Sequence, residues 1–268
     1  MLSIEGLSDT LAWPDPQRLG GLGWAHRTGG RLSAKERSRL LAATALGQWT
    51  NVMGRAKLAL GRVPARAAEV DLDTFTPPDS SFAREAERAC AELPEALVGH
   101  SYRTWLFGRA LAVLDGRELD EELFYCGSLL HDHGIAQPVA DRDFTLGSVE
   151  RVLQCASAAD PASVAVERVA ELADAICVHT TPGASVERDG PLGCYLQWGA
   201  MVDGAGLRVW DLAPSTVQEV LSRHPRIDFK AQLVALVQAE AAAVPAGRFG
   251  LLVRCGLPLA VRMAPFDS

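Results

Sequence analysis

The segment LFYCGSLLHDHGIAQPV, residues 123–139, decides how this chain is read. An apolar run from Leu123 to Leu130 has the density of a buried helix, yet it breaks off at His131, Asp132 and His133 and then meets Gly134. A helix that only filled a core would not end on imidazole, carboxylate and imidazole. The run points to a helix that carries metal ligands at its C-terminal end, with the remaining ligands supplied from elsewhere in the chain. Adjacent residues on an ideal helix point about 100° apart. His131 and Asp132 can therefore share one ion only at a terminal turn, where Gly134 would stop the helix. The plain alternative is a helix end at which a histidine interacts with the helix dipole.

Composition narrows the classes. With 268 residues, 48% of them hydrophobic and 22% charged, the chain can bury a sizeable core. A net charge of -7 and a pI near 5.4 argue against a general nucleic-acid binder, which needs a basic face. No stretch approaches the roughly 20 apolar residues that span a bilayer. The opening MLSIEGLSDTLAWPDPQ carries acids and prolines where a signal peptide needs a basic start and an apolar run. The six cysteines (Cys90, Cys126, Cys155, Cys177, Cys194 and Cys255) are scattered without a Cys-x-x-Cys pair, as buried free thiols are. The expectation is a reduced, cytoplasmic protein whose partner is a small molecule, with no nucleic acid and no membrane.

Outward from the opening segment, nearly every periodic stretch reads as helix, and sustained strand-type alternation is hard to find. The chain reads as all-α, with an arm, a helix and a linker over residues 1–73 and a helical domain over 74–268. The Gly-, Pro- and Trp-rich arm, residues 1–32, reads as irregular. Trp13 and Trp24 would pin it onto the body or onto a second subunit, which leaves a homo-oligomer open. Ser33 with Glu36 offers a capping box for a helix to about Leu60, with Leu41, Trp49, Val52, Met53 and Ala56 on one side. Residues 61–81, broken by Pro64, Pro77 and Pro78, read as a linker. Further helices are expected after Asp79 or Ser80, over 95–114, over 119–132, and from Asp160-Pro161 to His179. Three more run from Pro191 to about Trp210, from a Ser215–Gln218 capping box to His224, and from Asp228 to Pro245.

The histidines are His26, His100, His131, His133, His179 and His224. No His-Glu-x-x-His pair occurs, so a zinc-protease reading fails. What remains is a dispersed set on successive helices: His100, then His131 with Asp132, then Asp203. Helices packed around one centre can each point a side chain inward. The order His…His-Asp…Asp, embedded in HSYRTWLFGRALA (100–112), LLHDHG (129–134) and GAMVDGAGLR (199–208), resembles the HD metal-dependent hydrolase superfamily. Within it the chain is most similar to the cyanamide hydratase-like branch, through His100, Ser101, Arg103, Phe107, Gly108 and the later HPRIDFK (224–230). The resemblance covers roughly residues 74–250 and implies an HD-domain helical bundle around a buried metal site.

It also implies His100, His131, Asp132 and Asp203 as ligands of one divalent ion, zinc first; Fe, Mn, Co or Ni suit the same mixed donor set. Gly199, Ala200, Gly204 and Gly206 flank Asp203, and such small residues would let that helix approach its neighbours. The alternative for Asp203 is an ordinary buried, hydrogen-bonded carboxylate. Binuclear members of the superfamily add two histidines between the His-Asp pair and the last Asp. Here His133 adjoins Asp132, so one ion is expected. His179, in AICVHTTPG (175–183), would contact substrate, orient a ligand or simply end its helix. His133 reads as a pocket wall or as a group exposed beyond the helix end. Arg103 would face the site, where a phosphate could use it, or pair with a neighbouring acid. Thr104 and Phe107 share its side as pocket wall or as core.

A divalent ion lowers the pKa of its water toward roughly 7, and the nucleophile so made can attack a nitrile carbon or a phosphorus. Nucleotide monophosphatases of this superfamily tend to carry a glutamate three residues after the His-Asp pair; Ile135 stands there. Lys35, Lys57 and Lys230 lie away from the motifs. The expected activity resembles that of cyanamide hydratase, which adds water across a nitrile to give a urea. The alternatives are a mononuclear phosphohydrolase of a nucleotide or phosphomonoester, and a non-catalytic metal-binding or sensing module.

Overall fold

The computed structural model describes residues 3–10, 18–160 and 164–267, and among them there is no β-strand. The α-helices are α1 (Ile4–Thr10), α2 (Leu22–Thr28), α3 (Ala34–Ala59), α4 (Ser81–Cys90), α5 (Glu95–Leu114), α6 (Glu121–Leu130) and α7 (Phe144–Ala158). They continue as α8 (Val166–Val178), α9 (Val186–Asp189), α10 (Pro191–Ala205), α11 (Pro214–Arg223), α12 (Phe229–Ala243), α13 (Arg248–Arg254) and α14 (Leu257–Arg262). The protein is all-helical, as its periodicity implies.

The centre of the bundle is α5 packed along α10. Their backbones nearly touch because two glycines face each other. A Cβ on Gly199 would stand 2.3 Å from the Thr104 carbonyl oxygen, and one on Gly108 would stand 2.8 Å from that of Tyr195. The other small residues near Asp203 have different roles. At Gly204 a Cβ would find ordinary space beside Leu233, while Gly206 closes α10 in the left-handed region at φ 70.

Gly134 does not end α6. The helix closes at His131, still right-handed, and a 3-10 turn follows over His133–Ala136. Gly134 instead lets that turn press on the start of α7, where a Cβ would lie 2.0 Å from the Phe144 carbonyl oxygen. The α7 helix itself was not anticipated, although Asp143 caps it and Phe144, Leu146, Val149, Val152 and Leu153 form its buried side. Helices α13 and α14 are likewise additions. The Ser215–Gln218 box is not formed, because Pro214 starts α11 and the N-cap is Ala213, two residues before Ser215. Pro161 lies outside the described residues, and α8 begins at Val166.

The arm is partly helical rather than irregular. α1 and α2 lie against α8, Trp24 is fully buried, and its indole N–H donates to Glu36 at 2.8 Å. Trp13 lies outside the described residues. The Ser33–Glu36 capping box is present, yet the apolar side of α3 faces outward: Trp49 is 64% and Val52 59% exposed. α3 is held by Leu40, by the Trp210 ring against Gly54, and by Arg55 donating to the Ala205 and Met263 carbonyls. Between α3 and α4 the chain forms 3-10 turns and buries Ala67, Leu72 and Phe75, so it is a packed strap.

A second buried polar cage joins α7, α12 and α13. Asp143 accepts from Arg248, which also donates to Thr181 and to the Cys177 carbonyl. Glu240 sits beside it, one oxygen accepting from the Phe144 N–H at 3.1 Å and the other without a partner. Burial, aided by the Asp143 charge, pushes the Glu240 carboxyl up from 4.5 to about 8. The native state thus holds a proton that the unfolded chain releases near 4.5, so this group favours folding at low pH and loses that contribution as pH rises toward 8. Glu240→Gln keeps the acceptor and removes the titration. Urea unfolding at pH 5 and pH 8 should show the variant gaining on the wild type at the higher pH; an equal difference at both would contradict the assignment.

Candidate metal centre

Each donor reaches the site for a local reason. His100 projects from the second turn of α5, His131 caps the C-terminus of α6, and His179 that of α8. Asp132 has left the helix, with φ -104 and ψ 12. That break turns its carboxylate toward the same point as the preceding imidazole, which a continuing helix would forbid.

Three atoms form a nearly equilateral triangle. His131 Nε2 lies 3.4 Å from His100 Nε2, Asp132 Oδ2 lies 3.3 Å from His131 Nε2, and it lies 3.5 Å from His100 Nε2. All three residues are buried, and together they could hold a metal ion. His179 stands at the other carboxylate oxygen, its Nε2 3.5 Å from Asp132 Oδ1.

The hydrogen bonds behind the rings dictate where the protons are. His131 Nδ1 meets the Ser128 carbonyl at 2.9 Å, and His179 Nδ1 meets that of Ile176 at 2.5 Å. His100 Nδ1 meets Asp203 Oδ2 at 2.7 Å. These oxygens only accept, so each neutral ring spends its one N–H there and turns an Nε2 lone pair inward. Two such lone pairs at 3.4 Å, beside a carboxylate, need a positive charge between them. The titration tendencies divide the rings: His100 and His179 favour the neutral form, whereas His131, beside Asp132, is the ring that favours a proton when no ion is bound. Burial holds His100 and His179 below the usual imidazole range. At His131 burial is outweighed by the Asp132 carboxylate, which raises its pKa. Asp132 overcomes its own burial through His131, His179 and His100 and stays ionised well below the usual carboxylate range.

The structure does not bring Asp203 into the triangle. One of its oxygens takes the His100 N–H; the other accepts from Arg103 Nε at 2.8 Å and from Arg226. Burial would raise this carboxyl, but Arg103, His100 and Arg226 hold it far below its ordinary range. Arg103 therefore faces the back of His100 and donates onward to the His224 and Pro225 carbonyls. Arg226 and Phe229 were not singled out from the sequence, although both lie in HPRIDFK. The Phe229 ring stacks on His100 with centroids 4.9 Å apart. Gln197, also unforeseen, donates to the His179 and Thr181 carbonyls at 2.8 Å.

The inner face opens on a cavity of about 530 Å³, lined by His100, Asp132 and His179 at one end and by side chains of α3, α10, α12, α13 and α14 elsewhere. Thr104 and Phe107 do not line it. Thr104 is buried where α5 meets α10, and Phe107 stacks on Phe266 in the core. His133 also turns away, toward Ala89, Glu92 and Arg151.

No protein-family model matches the chain, and no curated protein matches it. Elemental analysis should find one divalent ion per chain, cut at least tenfold by His131→Ala or Asp132→Asn. Asp203→Asn should still bind the ion, with affinity weakened about 10- to 100-fold, as when a partner behind a ligand is lost. Loss of binding as complete as in His131→Ala would make Asp203 a ligand itself.

Proposed function

We propose that the protein is a metal-dependent enzyme that adds water to a small molecule at a nitrile-type carbon, in the manner of the cyanamide hydratase-like branch it resembles. The observation that carries this reading is the triangle of His100 Nε2, His131 Nε2 and Asp132 Oδ2, with sides of 3.3–3.5 Å, beside a cavity. Zinc bound by nitrogen and oxygen at 2.0–2.2 Å in a tetrahedron requires donor separations of about 3.4 Å. Octahedral coordination at similar bond lengths requires about 3.0 Å. The spacing suits zinc as it suits other divalent ions, and three protein donors leave a position open, as catalytic sites do; structural zinc sites use four protein donors.

An ion held there would supply a water-derived nucleophile at neutral pH, since coordination lowers the pKa of water toward roughly 7. The chain's own groups do the rest. His100 is held in one tautomer by Asp203, and that carboxylate is held by Arg103 and Arg226. His179, which lines the cavity with its Nε2 3.5 Å from Asp132 Oδ1, is the group to accept a proton from water and return one to the nitrile nitrogen. The water oxygen adds to carbon, both hydrogens end on nitrogen-bearing product after tautomerisation, and an amide results, or a urea from a cyanamide.

The phosphate reading lacks support in the cavity. Among the described lining residues Arg208 is the cation, and it is bound to Asp115 and Asp211. Zinc-loaded protein should form urea or amide from cyanamide and simple nitriles, with no phosphate released from a deoxynucleotide panel. His179→Asn should retain the metal while kcat falls about 10²- to 10⁴-fold, the usual scale for a lost general acid or base. Phosphate release that disappears in His131→Ala would replace hydration by phosphoryl chemistry.

A further inference from the structure

The cavity is far larger than cyanamide requires. A water occupies about 30 Å³ in the liquid, so a molecule of three heavy atoms needs roughly two such volumes, against about 530 Å³ here. Much of its wall away from the metal centre is apolar, with Met201, Leu233, Val237, Phe249 and Val261, while Gln48, Thr50, Asn51 and Arg208 lie toward solvent or are paired elsewhere. Such a wall disfavours a charged occupant, because burying an unpaired charge is costly.

Two of the polar groups in the lining have no use in the fold. The Thr180 and Thr44 hydroxyls are buried, have no hydrogen-bond partner, and belong to residues that line the cavity. Thr180 is next to His179, at the metal end. Thr44 comes from α3, so the N-terminal segment helps to enclose the site. Buried hydroxyls in native proteins are normally paired; two left over in one cavity mark positions for a ligand's polar atoms.

We infer that the substrate is an uncharged molecule with an apolar body filling this cavity and a small polar head at His100, Asp132 and His179, where the Thr180 hydroxyl bonds it. The choice of a nitrile as the head rests on the hydration reading; the apolar body does not. Hydration is balanced as R–C≡N plus water giving R–C(=O)NH2: water oxygen bonds to carbon, and its two hydrogens finish on nitrogen.

The test uses the full-length, zinc-loaded chain. Calorimetric titration with acetamide, butanamide, hexanamide and octanamide measures how affinity depends on chain length, and the matching nitriles, with cyanamide, are assayed for hydration. Each added methylene should strengthen amide binding about fourfold until the cavity is full. Thr180→Val, which should keep its melting temperature and metal content, should weaken binding about tenfold at every length. Affinity independent of length, no binding by any amide, or turnover fastest with cyanamide would overturn the inference; the last would leave hydration standing. Rising affinity with no nitrile hydrated would sustain the apolar site and overturn the hydration reading.

Discussion

The Asp203 carboxylate is the constraint on which the site depends. It is fully buried near the end of α10 and is met by Arg103 and His100 from α5 and by Arg226 from the segment after α11. Taking these charges out of water is expensive, and such a cluster persists only when its hydrogen bonds are well formed. Here Oδ2 takes the imidazole N–H, Oδ1 takes both guanidiniums, and the Asp203 carbonyl accepts from Arg226 as well. The result ties two helices and a loop together and leaves the His100 ring little freedom to turn.

From that ring outward the electrostatics follow a single pattern. Each inward-facing imidazole is backed by an acceptor that claims its only neutral proton, so basicity is concentrated on the cavity side. Asp132 adds a negative charge at the point where those lone pairs meet. The surrounding apolar wall keeps the effective dielectric low, which strengthens the attraction of this cluster for a cation. Asp143 with Arg248, at the starts of α7 and α13, repeats the use of a buried ion pair to hold helices together.

Much of the helical scaffold was legible in the chain. The Ser33–Glu36 box and the limits of α5 follow from local capping and periodicity, as expected. α7 carries a local signal too, since Asp143 caps a run with apolar residues three and four apart. Ser215 misled because proline at the first helical position set the start of α11. The shared side of Leu41, Trp49, Val52 and Met53 on α3 is legible, but hydropathy alone does not say which side has a neighbour, and this one faces outward.

For the site, the sequence by itself determined the donor types, their order, and the break after Leu130 that lets two adjacent residues point the same way. These depend on side-chain chemistry and on local backbone geometry. Only the tertiary structure decided which donors converge, that Asp203 stands behind His100, and that Arg226 shares it with Arg103. Convergence is set by how far each helix is rotated and shifted against the next. Those quantities follow from packing such as the Gly108–Gly199 contact, where residues 91 positions apart touch and no local pattern records the fact.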